Sequence, residues 1–232
     1  MKTITTFLHH RTTTVLLVLA VVSAVWQNPS RAQGFRPETA GQTQQTPSGR
    51  TAWHHVGRVF LNPNTGQFVY VGYLVGIDPI NGSLFDGPPS ENTAYFTFST
   101  GVANPAQLTP LPNNNDVALD LVSAGTFNVY YNATPAADWS DPASFSSGKL
   151  IATFHRKESL FALTPSVSFH SLSETLQWSS NFAFGGQTFN FNRLTPNGIT
   201  FAQFFSTAPQ AGTADYPVTL AGAGNVFAVG TP

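Results

Sequence analysis

The chain has no cysteine. No disulfide can staple it, no thiolate can ligate a metal and no thiol can act as a nucleophile. Charge is also scarce, with Asp, Glu, Lys and Arg forming 9% of the 232 residues. Lys2, Arg11 and Arg31 precede Ala32, which leaves seven of the ten basic residues against eleven acidic ones and a net charge of −4 beyond it. That balance offers no basic surface, so nucleic acid is not an expected partner. Long apolar runs are absent too: "VLLVLAVVSAV" (15–25) is eleven apolar or small residues, too short to span a bilayer. No segment holds a helical period for long enough to form a substantial helix. The G-x-S-x-G elbow and the P-loop are missing, as are H-x-x-x-H and H-x-H spacings after the first 32 positions, so neither a cofactor nor a metal is expected.

What is present starts with that short run. It follows a basic stretch and precedes small-x-small sites ending at Ala24 and Ala32. This pattern predicts a signal peptide over 1–32, cleaved after Ala32, and export to the periplasm or the medium with no remaining membrane span. Residues 33–50, rich in Gln, Thr, Pro and Gly without an apolar period, read as a disordered linker. Residues 51–232 form one domain, whose stability must come from its core because no bridge is available.

That domain is built of short apolar runs separated by turn residues. "TAWHHVGRVFL" (51–61) leads through "NPNTGQ" into "FVYVGYLVGI" (68–77), and "TAYFTFS" (93–99) alternates. Further runs cover 117–122, 126–132, 149–158, 166–178, 199–205 and 218–229, and "FAFGGQTFNFN" (182–192) carries a Gly-Gly hairpin signal. The spacing predicts an all-β fold, a single antiparallel β-barrel of about eight to ten strands, with a β-sandwich as the alternative. Closure is preferred because so apolar a chain would otherwise expose strand edges.

The aromatic content, 13% of the chain, is the main functional signal. A barrel lined by such residues either fills itself or encloses an apolar cavity. The expected function is therefore binding of a small apolar molecule, with Trp53, His55, Tyr73, Phe96, Tyr131, Trp139 and Trp178 as expected lining residues. In "DWSDPASF" (138–145), Trp139 and Phe145 are read as a lid over the barrel mouth. In "WHH" (53–55), adjacent residues of a strand diverge and cannot chelate one ion. One histidine is expected in the core, hydrogen-bonded, and the other in solvent.

An alternative is a cofactor-independent enzyme of cyclase or isomerase type. In "KLIATFHRKE" (149–158), alternation puts Leu150, Ala152, Phe154, Arg156 and Glu158 on one face, and Ile151, Thr153, His155 and Lys157 on the other. Only one of Arg156 and Lys157 can then line a lumen. The following strand puts His170, Leu172, Glu174, Leu176 and Trp178 on one face. A hairpin joining the two strands in one register brings His155 near His170 or Glu174, and these three are the expected acid/base residues. The competing reading of the same charges is an ordinary cross-strand pair. Two further alternatives are a structural or surface-interaction protein and a small outer-membrane barrel, the latter disfavoured by short strands and the non-aromatic ending "AVGTP".

Overall fold

The computed structural model of the chain describes residues 45–102, 109–110, 117–120, 125–163 and 167–230. The expected signal peptide and residues 33–44 of the expected linker lie outside them. Residues 45–50 do not behave as a linker. Thr46 is buried, its N–H donates to Leu194 O at 3.0 Å and its hydroxyl donates to Asp78 O at 3.0 Å.

Among the described residues thirteen strands follow: β1 (Thr51–Leu61), β2 (Phe68–Ile77), β3 (Phe96–Ser99), β4 (Thr109–Pro110), β5 (Val117–Asp120), β6 (Thr126–Tyr131), β7 (Lys149–Leu163), β8 (Val167–Ser179), β9 (Phe182–Phe184), β10 (Gln187–Phe189), β11 (Ile199–Ser206), β12 (Gln210–Ala211) and β13 (Val218–Ala228). The β1–β2 turn is the one the sequence announces. Asn62 Oδ1 accepts from Asn64 N at 3.0 Å, and Gly66 takes a positive φ of 71°.

Taken in chain order, β1, β2, β3, β6, β7, β8, β11 and β13 each pair antiparallel with the next, and β13 returns to β1. The result is a closed eight-stranded up-and-down barrel, which excludes the sandwich. The β4–β5 hairpin attaches to the far half of β7, and β12 pairs beside β13.

The segment 182–192 departs from expectation. Gly185 and Gly186, both with positive φ, do turn a hairpin, β9–β10, but it pairs only with itself. The chain then forms one helical turn, α1 (Phe191–Leu194), started by Asn190, whose side chain accepts from Asn192 N at 2.8 Å. Burial explains the departure. Phe182, Phe189, Phe191 and Leu194 pack into the main core, with Phe191 against Trp53 at 5.6 Å and Phe154 at 5.9 Å. These side chains close the barrel end where β1 starts and β2 finishes.

The interior is dominated by rings. Phe98 stacks on Phe127 at 4.8 Å, Phe127 meets Phe201 at 4.9 Å, and Trp53 meets Phe154 at 5.8 Å. Missing side chains make room for them. A Cβ at Gly72 would sit 2.7 Å from Phe98 Cζ and 2.1 Å from Val56 O. A Cβ at Gly222 would sit 2.4 Å from Phe205 Cδ1, and one at Gly224 would sit 2.5 Å from Gln203 Cβ. The Gly-rich run of β13 is thus the floor against which the inward residues of β11 lie.

Candidate functional site

Alternation and two irregularities decide which residues face the interior. Inward positions on β11 are Ile199, Phe201, Gln203 and Phe205, and on β8 they are Ser168, His170, Leu172 and Glu174, all buried. On β7, Phe154 and Arg156 are buried and Lys157 is exposed, so the basic pair divides between the faces. The register against β8 then shifts between Arg156 and Glu158, which pair with Glu174 and Ser173. This bulge turns Glu158 outward and Ser159 inward.

The interior is filled at its waist. Phe98, Phe127, Phe154, Phe201 and Trp53 are 0–2% exposed and pack ring against ring. Exposure rises to 5% at Leu172, 6% at Arg156 and Ser159 and 7% at His170. These four share the inner wall of β7 and β8, and the polar groups gather there.

A line of hydrogen bonds crosses this wall. His55 Nε2 donates to Gln203 Oε1 at 3.0 Å, Gln203 Nε2 donates to His170 Nδ1 at 2.9 Å, and His170 Nε2 donates to Ser159 Oγ at 2.9 Å. The amide has one accepting and one donating end, so it fixes both imidazole tautomers. Burial holds both rings neutral. The pKa of His55 falls to about 4 through desolvation, partly offset by the Gln203 hydrogen bond and then lowered by His54. That of His170 falls to about 3 through desolvation and then the Arg156 charge.

Arg156 and Glu174 face each other in register beside this line. Burial pushes the Glu174 carboxyl up to about 8, opposed by the Arg156 charge, and so favours its protonated form relative to a carboxyl in water. Arg156 Nε and Glu174 Oε2 are buried without a hydrogen-bond partner, as are Trp53 Nε1, His55 Nδ1 and Tyr70 OH. Unmet polar atoms inside a folded protein are uncommon, and five of them point into this barrel.

The expected site residues divide between the two sides of the wall. Trp53, His55, Phe96, His170 and Glu174 are inside and buried, and half-buried Tyr131 packs against the core beside Phe96 at 5.4 Å. His155 is not with them. It pairs with Thr175 between inward Phe154 and Arg156, and therefore faces out. Trp178 is also corrected to the outside. A second register shift, between Thr153 and Phe154, sets it opposite Thr153 and leaves it 47% exposed.

Trp139 belongs to a separate cluster on the outer wall, with Phe60, Val69, Val71, Ala137 and Phe145, and Tyr73 borders both clusters, meeting Trp139 at 6.1 Å and Phe85 of the main core at 5.8 Å. Trp139 is therefore no lid. It packs on Phe145 at 4.6 Å and under Arg58 at 4.4 Å, while Thr97 Oγ1 anchors Phe145 O at 2.7 Å. A cleft of about 410 Å³ lies between this cluster and the β12 turn, lined by Arg58, Phe60, Trp139 and Thr213 among others. His54 behaves as a solvent histidine, touching Asn225 Oδ1 at 2.6 Å on the exposed face. Ser159 and Gln203 were not expected at the site. The alternating pattern of "ITFAQFF" (199–205) marks Gln203 as a polar residue on an apolar face, and that was the available signal.

Fold and site together define a cysteine-free, closed eight-stranded up-and-down β-barrel with an aromatic waist and one polar inner wall. No protein-family model, curated protein or solved structure matches the chain.

Proposed function

We propose that the barrel binds a small molecule against the inner wall of β7, β8 and β11. The apolar part of the guest rests near Leu172 and its polar part meets Ser159, His170, Arg156 and Glu174. The observation that carries this reading is the pair of unpartnered, buried Arg156 Nε and Glu174 Oε2 atoms, which face each other across β7 and β8 beside Ser159 and His170. A bound molecule would supply the missing partners. The filled waist argues for a compact guest held at one wall rather than a long one threaded through the barrel. We further propose that this binding takes place outside the cytoplasm, a reading supported by the short apolar stretch at 15–25 with its small-x-small sites.

Native mass spectrometry of the protein purified from its own host's exported fraction tests both parts. The expected result is a recurrent small-molecule adduct on a chain lacking its first 32 residues. Consistently bare protein overturns the binding reading, an intact N-terminus overturns cleavage after Ala32, and absence of the protein from that fraction overturns export.

One observation favours an enzyme as the second reading: Ser159 Oγ lies 2.9 Å from His170 Nε2, the spacing of a nucleophile and its base. As placed, however, His170 donates to the serine. The Gln203 amide must turn over before Ser159 can donate to the ring. A pKa of about 3 for His170 is also far below the near-neutral value that suits a general base. Covalent labelling of Ser159 by a fluorophosphonate would raise this reading above the first, and unlabelled Ser159 removes it.

A further inference from the structure

We infer that the group bound at the inner wall is a carboxylate, carried on a small apolar body. The inference rests on the small-molecule site proposed above and names its ligand class.

The donors at this wall outnumber the acceptors available to them. Ser159 Oγ already accepts from His170 Nε2, so its own proton is directed to another acceptor. Arg156 Nε–H has no partner. Arg156 and Ser159 are successive inward positions on β7, separated only by the bulge at Lys157 and Glu158. Glu174, opposite Arg156, adds a third donor whenever its carboxyl carries a proton, and its burial favours that form. A guest cation would meet the buried guanidinium, and an alcohol would offer one acceptor to several donors. A carboxylate offers two oxygens, matches the planar guanidinium fork and supplies a counter-charge to the buried arginine while Glu174 carries its proton. The apolar body follows from the remaining neighbours. Leu172 lies opposite Ser159 across the hairpin, and Phe205 lies 6.2 Å from the His170 ring.

Isothermal titration of the full chain with octanoate, octan-1-ol and octylamine tests the inference. The expected result is octanoate binding at least about tenfold more tightly than octan-1-ol, with octylamine weakest. Arg156→Met should reduce the preference for acid over alcohol to near unity, and Arg156→Lys, which keeps the charge but loses the fork, should fall between. The wild-type comparison stands even if a variant fails to fold. Equal affinity for octanoate and octan-1-ol overturns the carboxylate and leaves the small-molecule site in place. No octanoate binding at all also overturns it, and the native mass spectrum of the host protein then decides the fate of the site separately.

Discussion

His170 owes its hydrogen bonds and its depressed pKa to the same burial, and this has a consequence for acid stability. In the unfolded chain both interior histidines take up protons near 6.5, whereas in the barrel they resist until about 4 for His55 and about 3 for His170. The stability they contribute is fully present above 6.5 and is lost as pH falls through the folded values. Glu174 acts in the opposite sense. Its pKa rises from 4.5 to about 8 on folding, so its contribution is fully present below 4.5 and is lost as pH rises through 8. Glu174→Gln keeps the shape and cannot ionise. Relative to the wild type, it should gain stability steadily between pH 4.5 and 8 and gain no more above that range, as read from urea midpoints. A constant difference across the range would show that the carboxyl is not held protonated in the barrel.

At the scale of strands, the sequence disclosed alternation but not the places where alternation slips. The separation of Phe154 and Arg156 from Lys157, and of His54 from His55, follows from period two alone; which face of β7 turns inward does not, and the expectation of His155 inside chose the other one. The positions of Glu158, Ser159 and Trp178 do not, because each lies beyond a register shift between β7 and β8. One extra residue in a strand leaves no compositional mark when its neighbours are Lys, Glu and Gln, each suited to either side of a wall. The β9–β10 hairpin was legible from Gly185-Gly186, but its departure from the barrel was not, since four apolar side chains can serve a wall or a plug equally well.

Glycines show the same limit, and they allow a paired test on β2. A Cβ at Gly72 would strike backbone at 2.1 Å and 2.6 Å, whereas at Gly76 the nearest atom is His54 Cδ2 at 3.7 Å. Gly72→Ala should cost about 3 kcal/mol or prevent folding. Gly76→Ala should be neutral or stabilising by roughly 0.5–1 kcal/mol, through the entropy of the unfolded chain. Equal urea midpoints for the two variants would contradict the packing around Phe98.

For the whole molecule, the decisive event is the pairing of β13 with β1, the last strand with the first. The sequence favoured closure through the edge argument, and the eight-strand count falls at the lower end of the expected range because β4, β5, β9, β10 and β12 lie outside the ring. The wall also separates two apolar clusters that composition alone could not divide: Trp53 and Trp139 look alike in the chain, yet one lies inside and the other outside. In a closed ring no strand is an edge. Amide hydrogen exchange should therefore find the β1–β13 and β7–β8 ladders as protected as β1–β2, with β9–β10 and β4–β5 exchanging sooner. Early exchange along β1–β13 would mean the ring opens there.

The plug has a consequence of its own. The β9–β10 hairpin that carries Phe182 and Phe189 pairs with no strand of the ring. Lifting it would part side chains and leave every ladder of the wall joined, so the tube could be unstoppered at that end without being unzipped.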